Sequence, residues 1–433
     1  MHPRVLIVGT VPYDPQQTSR AFDAYFHDWE PEALAQIFSH PAIPCRGHCG
    51  KLYQITDARI LSRWFRPGTQ TGRSFRREEL PETREPEHRK PEGSSFLQKA
   101  YRLGGKHTAL THAMRGLLWR ERFWHTEELD RWMDDFSPEC VFLAFSDDFF
   151  IPKIALYAAK RYGIPIVSCI GDDYYFNTHF SLNPIYLGYK YRYRALVRRV
   201  LAHPGSAMYI SDKIRDLYNK AFSLDGETVY LYSSLSRKPF APVDPVSPRI
   251  TYFGNIRMGR DASLCAVADA LAALNPGWRL DVYSNERDEK KLKRLRENER
   301  IRFHGRIPYE QVCLELSRSD VTLIVEGFRR KDVELSRYSL STKAADALAA
   351  GAAIISYGSA DCGIVEYMKQ TGAALVCTGE AELRAELGPF LADAERQRRY
   401  YEAQIRVTEA HHNLKQSCAA AERVIRKAIE KGV

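Results

Sequence analysis

No apolar run in this sequence approaches the ~20 residues a membrane-spanning helix needs. Met1 to Thr10, MHPRVLIVGT, opens directly on a strand pattern and not on the sections of a signal peptide. Both absences predict a cytoplasmic protein. Cysteine is sparse and odd in number, nine in 433 residues, which suits a reducing compartment better than a disulfide framework. The one cluster is Cys45-Arg-Gly-His-Cys49 with His40 nearby. No second Cys/His pair follows at finger spacing, so no metal site is assigned. Gly104-Gly-Lys-His-Thr108 has a phosphate-loop flavour. It lacks the first glycine at the proper spacing and carries His107 where Ser or Thr should follow the lysine, which excludes that reading. There is no internal repeat beyond an alternation of elements.

What is present is an ordinary globular composition, 44% hydrophobic and 27% charged, in a chain long enough for two domains. The formal charge of +9 points to an anionic partner: a nucleotide, a membrane surface or nucleic acid. RVLIVGT (Arg4 to Thr10) reads as a buried parallel strand, and Gly9-Thr-Val-Pro-Tyr-Asp14 as the loop at its carboxyl end. That edge faces the ligand in open α/β sheets, which makes Gly9, Thr10 and Tyr13 candidates for contact with an acceptor. Ser19 to Phe38 reads as helical, and residues 67–131 as an irregular insertion. ECVFLAF (Glu139 to Phe145), a helix through Ile151 to Tyr162 and GIPIVSCIGDDYY (Gly163 to Tyr175) form a βαβ pattern. Asp172 and Asp173 fall just past a strand's carboxyl end, where they can orient a substrate hydroxyl, act as a base or cap the next helix.

In GYKYRYRALVRRVLAH (Gly188 to His203), Lys190, Arg192, Arg194, Arg198 and Arg199 alternate with tyrosines. An anionic membrane surface is one partner for such a helix, and solvent is the other. AMYIS and TVYLYSS (Thr228 to Ser234) read as further strands of a domain over residues 1–236. Pro239, Pro242, Pro245 and Pro248 mark a linker over 237–248. A second doubly wound domain, 249–388, is expected from RITYFGN, RLDVYS, RIRFHG, VTLIVE, AAIISYG and ALVCTG, followed by helices over 389–433. Two such sheets place two sets of strand-end loops around a cleft, a preferred place for ligands.

The second domain carries the anion-binding signals. Gly254-Asn-Ile-Arg-Met-Gly-Arg260 follows its first strand, with glycines that admit close backbone approach and with Arg257 or Arg260 placed for a diphosphate. In SRYSLSTKAADALAAGAAIISYG (Ser336 to Gly358), Ser341 and Thr342 are N-cap residues, Ala344 to Ala350 a helix and Gly351 its stop. Lys343 then lies in the first turn, against the helix dipole, where a bound anion would offset the conflict; a solvated lysine is the alternative.

These stretches, YFGNIRMGR, FHGRIPYEQVCLELSRSDVTLIVE, SRYSLSTKAADALAAG and GIVEYMKQTGAALV, resemble the donor-binding domain of retaining GT-B glycosyltransferases of family four, particularly bacterial polysaccharide-assembly members. VGTVPYD, GIPIVSCIGDDYY and YISDKIRDLY extend the resemblance more loosely to the first domain. It implies two Rossmann-like domains facing across a cleft and a nucleoside-diphosphate sugar donor. It also implies transfer with retention to a glycan or lipid-linked glycan, with no metal and no cofactor, at the inner face of the membrane. In that family an arginine after the first strand and a lysine hold the diphosphate: Arg260 or Arg257 matches the arginine, and Lys343 is the candidate for the lysine. Asp346, five residues before Gly351, takes the place of the ribose-binding carboxylate. Tyr338 falls where the family has a glutamate, and Glu326 is the candidate to replace it. Glu326 and Glu334 have the family's glutamate spacing, but their offset from Gly351 is wrong. The sequence has no Asp-x-Asp triplet of the kind that holds a metal. Gly254, Asn255, Ser341 and Thr342 complete the expected donor set, and Asp172 or Asp173 positions the acceptor. A nucleotide-sugar epimerase on the same scaffold is the alternative enzyme. An RNA-binding or membrane-docked scaffold is the non-enzymatic one, although no RNA module accompanies the basic stretch and nucleic acid is not the expected partner.

Overall fold

The computed structural model describes residues 1–9, 11–13, 21–82, 109–176 and 182–432. The chain divides into two compact units, Met1–Thr228 with Cys418–Val433, and Val229–Ser417. The proline-bearing stretch 237–248 therefore lies within the second unit, and the last residues of the chain within the first.

The first unit runs β1 (Val5–Val8), α1 (Ala21–Tyr25), β2 (Leu34–Phe38), β3 (Lys51–Ile55), α2 (Asp57–Phe65) and β4 (Gly72–Arg76). It continues with α3 (Ala109–Leu118), α4 (Glu121–Trp124), α5 (Glu127–Phe136), β5 (Cys140–Ala144), α6 (Phe150–Tyr162), β6 (Ile166–Ile170), α7 (Pro184–Leu201), β7 (Gly205–Tyr209), α8 (Asp212–Phe222) and β8 (Glu227–Thr228). Its sheet has the order β4-β3-β2-β1-β5-β6-β7-β8 and is parallel except where β4 runs back along β3. Strands such as VLIV and IVSCI are apolar and buried at every position because helices cover both faces of a parallel sheet.

The second unit is built from β9 (Ile250–Phe253), α9 (Arg260–Leu274), β10 (Leu280–Tyr283), α10 (Glu289–Arg296), β11 (Ile301–Gly305), α11 (Tyr309–Arg318), β12 (Val321–Val325) and α12 (Arg330–Ser336). It is completed by α13 (Lys343–Ala350), β13 (Ala353–Tyr357), α14 (Gly363–Thr371), β14 (Leu375–Cys377), α15 (Glu380–Ala392), α16 (Ala394–Ala410) and the start of α17 (Leu414–Gly432). All six strands are parallel, in the order β11-β10-β9-β12-β13-β14. Strand order reverses between β9 and β12, and at such a switch point the loops leaving the two strands part to form a crevice at the carboxyl edge.

The six strands expected in the second unit are all present. In the first unit three expectations need correction. Ser19 to Phe38 is not one helix: α1 is short, and Leu34–Phe38 is strand β2, buried at all five positions between β1 and β3. The stretch 67–131 is ordered where it is described, contributing β4 and three helices, while residues 83–108 lie outside the described residues. Thr228 to Ser234 is extended, yet only Glu227–Thr228 pairs with β7. The carbonyls beyond it accept side-chain donors in place of a ladder: Ser417 Oγ donates to Tyr230 O at 2.8 Å and His412 Nδ1 to Leu231 O at 2.6 Å.

His412 is 2% exposed, and its Nε2 lies 2.9 Å from the Tyr367 hydroxyl. The carbonyl can only accept, so Nδ1 carries a proton. Burial pulls its pKa down to about 4. The unfolded chain, titrating near 6.5, therefore binds a proton that the native state refuses. The resulting stability is full above that value and is lost as pH falls towards 4, by up to about 3 kcal/mol. The melting temperature should drop between pH 7 and pH 5, and His412→Gln should flatten that drop; equal drops in parent and variant would contradict the assignment.

Candidate functional site

The switch point of the second sheet is organised around one buried ion pair. Arg260, first residue of α9, donates to both oxygens of Glu326, Nε to Oε2 at 3.1 Å and Nη2 to Oε1 at 2.7 Å. The residues are 6% and 3% exposed. Glu326 leaves β12 at its carboxyl end, where its N–H bonds Tyr357 O and its carbonyl accepts Ser263 Oγ at 2.7 Å. The third donor of Arg260, Nη1, reaches Asn255 Oδ1 at 2.6 Å and so fixes the loop after β9. Removing either partner would leave a buried charge, at a typical cost of 3–5 kcal/mol.

Lys343 comes to the same place from the start of α13. Its Nζ lies 3.1 Å from the Tyr252 hydroxyl and 5.0 Å from the centre of that ring. A Cβ on Gly254 would overlap its Cε and Nζ and push the amine aside, and at φ +138° it would also strain the backbone. Burial is the main cause that pulls the Lys343 pKa down to about 7, the Arg260 guanidinium adding to it and Glu326 opposing it. An ammonium pressed between a phenol and a guanidinium stands where a bound anion would be the natural counter-charge.

The caps differ from expectation. Thr342 is exposed, has helical dihedrals and makes no side-chain cap, and Ser341 Oγ accepts only a long bond from Lys343 N at 3.4 Å. Gly351 closes α13 at φ +82°. Arg257 is exposed and donates Nε to Glu286 at 2.9 Å. That bond and two backbone N–H groups, of Arg287 and Asp288, hold the Glu286 carboxyl down at about 2. Neither Glu286 nor Tyr252 was singled out in the sequence. Glu286 sits in the charge-rich run SNERDEKK, which reads as solvated surface. Tyr252 lies inside a strand, and nothing local marks its hydroxyl as the partner of a residue 91 positions away.

Asp346, on the first turn of α13, is 8% exposed, and its Oδ1 accepts from Ser233 Oγ at 2.7 Å and Tyr309 Oη at 3.1 Å. Tyr338 is partly buried in the turn between α12 and α13. Glu334 stands apart from Glu326, paired with Arg330 Nε at 2.9 Å on the exposed side of α12. The second unit thus brings together Gly254, Asn255, Arg260, Glu326 and Lys343.

In the first unit, Gly9 has φ +99° and bonds Ile37 O, and Gln36 Nε2 donates to its carbonyl at 3.2 Å. Thr10 lies outside the described residues. Tyr13 O accepts Cys45 N, and its ring meets His48 edge-on at 6.0 Å. Asp172 is exposed. Asp173 Oδ1 takes Tyr218 Oη at 2.8 Å and the N–H groups of Tyr175 and Phe176, which closes a local turn; the next described helix begins only at Pro184. The basic helix α7 spends much of its charge internally: Lys190 Nζ bonds Tyr174 O, Arg194 Nε bonds Tyr175 O and Arg198 Nε bonds the Tyr175 hydroxyl. Arg192, Arg198 and Arg199 are exposed. Among the described residues no group of three or more His, Cys, Asp or Glu side chains is arranged to hold a metal, Cys45 and Cys49 included. No described helix is long and apolar enough to cross a membrane.

Two doubly wound parallel units of this kind constitute the GT-B fold, and solved structures of that architecture match over nearly the full chain. Sucrose-phosphate synthase of Thermosynechococcus elongatus aligns with TM-score 0.60 and 11% identity, covering 99% of each chain. Anabaena Alr3699/HepE, solved in complex with UDP-glucose, gives 0.60 at 10% identity over 98% of this chain and 100% of that one. A glycosyltransferase from Rickettsia africae gives 0.54 at 10% identity over 98% of both. By sequence, residues 260–423 match a family model described as glycosyl transferase-like. No curated protein matches by sequence.

Two outcomes follow from the packing around Lys343. Gly254→Ala should displace the amine and weaken binding of a nucleoside diphosphate by about tenfold or more, one lost charge-assisted contact. Unchanged affinity would show that the amine does not meet the ligand. Because Lys343 loses its charge as pH rises through about 7, affinity should fall over that range. In Lys343→Arg, whose guanidinium stays charged, the fall should be shallower. Calorimetric titrations between pH 6 and pH 8.5 would check it, and identical profiles would contradict it.

Proposed function

We propose that this protein is a glycosyltransferase that moves a sugar from a nucleoside-diphosphate donor, bound at the β9/β12 switch point, to a glycan or lipid-linked glycan acceptor. The observation that carries the reading is the Lys343 ammonium at the carboxyl edge of a Rossmann-like sheet, with Gly254 cut away beneath it. The glycosyl transferase-like match over residues 260–423, which includes Arg260, Glu326 and Lys343, supports it. So does the likeness in fold to an Anabaena protein solved with UDP-glucose.

As the bond between the sugar's anomeric carbon and the diphosphate oxygen breaks, negative charge grows on the leaving group. Lys343 stabilises that charge directly in a partly desolvated site. Arg260, committed to Glu326, shapes the loop and sets the local field; Arg257 at the rim is the more mobile cation. The acceptor hydroxyl attacks the anomeric carbon from the face the diphosphate leaves, and its proton passes to the departing phosphate oxygen, which gives retention without a dedicated base or a metal. Asp346 takes the ribose hydroxyls, and Asp172, exposed beyond β6, is the better placed of the two aspartates to orient the acceptor. A role in bacterial surface polysaccharide assembly, at an anionic membrane face contacted through Arg192 and Arg199, completes the reading.

Lys343→Ala should abolish transfer and donor hydrolysis while leaving the fold intact. Undiminished turnover with a nucleotide sugar would overturn the assignment. A thermal-shift panel of ADP, CDP, GDP, TDP and UDP should show selective stabilisation by one base. Incubation with donor alone separates the alternative enzyme: slow release of free sugar fits a transferase, and an isomerised sugar nucleotide fits an epimerase.

A further inference from the structure

Asp346 is held in place by groups from outside its own helix. Ser233 and Tyr309 both donate to the same oxygen, Oδ1, at 2.7 and 3.1 Å. They approach from different elements. Tyr309 is the first residue of α11, its backbone set by Pro308 at the N-cap. Ser233 lies in the extended segment that opens the second unit, and its Oγ also accepts from Leu235 N at 3.3 Å, which orients its O–H towards the carboxylate. That segment is itself fastened by Ser417 Oγ on Tyr230 O and by His412 Nδ1 on Leu231 O.

A carboxylate on a short stem turns easily about its last bond. Two donors on one oxygen remove that freedom, because rotation breaks both bonds at once, and at 8% exposure little water is at hand to replace them. Recognition of a vicinal diol needs this restraint, since both O–H groups must meet carboxylate oxygens at hydrogen-bond distance in one orientation. Hydroxyls suit the task better than cations, because they orient a carboxylate without pairing it with an opposite charge.

We infer that Ser233 and Tyr309 are positioning residues that aim the Asp346 carboxylate at the ribose 2′ and 3′ hydroxyls of the donor nucleotide, setting the preference for a ribonucleotide. The inference rests on the donor-site reading above. Neither hydroxyl is expected to touch the reacting atoms.

The test is calorimetric titration of the full chain with whichever ribonucleoside diphosphate binds best and with its 2′,3′-dideoxy analogue. It is run on the parent, Asp346→Asn, Ser233→Ala, Ser233→Thr and Tyr309→Phe. The parent should prefer the ribonucleotide by about tenfold or more, and Asp346→Asn should erase that preference. Tyr309→Phe and Ser233→Ala should each cut it at least about threefold while leaving dideoxy affinity unchanged, and Ser233→Thr should restore it. If Asp346→Asn erases the preference and the two hydroxyl deletions leave the ratio alone, or lower both affinities equally, the inference falls and the donor-site reading stands. If the parent shows no preference, or Asp346→Asn keeps it, Asp346 is not the ribose ligand and the inference falls with that assignment.

Discussion

The second unit's site depends on the buried pairing of Arg260 with Glu326. A guanidinium and a carboxylate are tolerated there because they bond each other twice, the guanidinium also reaches Asn255, and the Glu326 backbone is tied to β13 and to Ser263. One pair thereby fixes three things, the loop after β9, the end of β12 and the start of α9. The neighbouring glycines are consequences of that crowding. Gly358 lets β13 close on the Glu326 side chain, and Gly327 admits the carbonyl of Met258, whose left-handed φ of +58° is stabilised by the packed loop around it.

Against this neutralised pair Lys343 is the odd charge. Its amine rests on a phenol and on the space left by a missing Cβ, and it gives up part of its basicity for the position. Under the proposed function, a cation held at the carboxyl edge of a parallel sheet, beside a fixed loop and at a helix start, supplies the electrostatic preorganisation that a departing diphosphate requires. In the proposed function Asp346 extends the same logic to the sugar of the nucleotide. It is a buried carboxylate with two hydroxyls donating to one of its oxygens.

Much of this was legible in the sequence, and the limits have physical causes. The six strands of the second unit were readable because each is short, holds β-branched or aromatic residues, and ends at or within two residues of a glycine, or for β10 at Ser284-Asn285. β2 was not, since LAQIF follows PEA in a stretch whose apolar residues suit a helix as well as a buried strand. β3, KLYQI, mixes polar and apolar positions and gives no clear period. At the site, Gly254 and Lys343 could be singled out by position relative to a strand end and a helix start, and Asp346 only through the family resemblance. The pairing of Arg260 with Glu326 could not, because it joins residues 66 apart and leaves no local trace. The same holds for Tyr252 beneath Lys343 and for the hold of Ser233 and Tyr309 on Asp346. Thr342 shows the opposite error: its residue type suits an N-cap, but its helical dihedrals turn the side chain out to solvent.

The proposed donor site turns on one ammonium group, and nuclear magnetic resonance can follow it directly. Titration of a protein labelled with nitrogen-15 at lysine, with Lys343→Arg used to assign the signal, would report the pKa of its Nζ with and without a nucleoside diphosphate. The account predicts a value near 7 in the free protein that rises towards that of a solvent-exposed lysine when the nucleotide is bound, as the diphosphate takes the place of the missing counter-charge. A Lys343 amine that titrates like a surface lysine in the free protein, or that is unmoved by a nucleotide shown to bind, would contradict it.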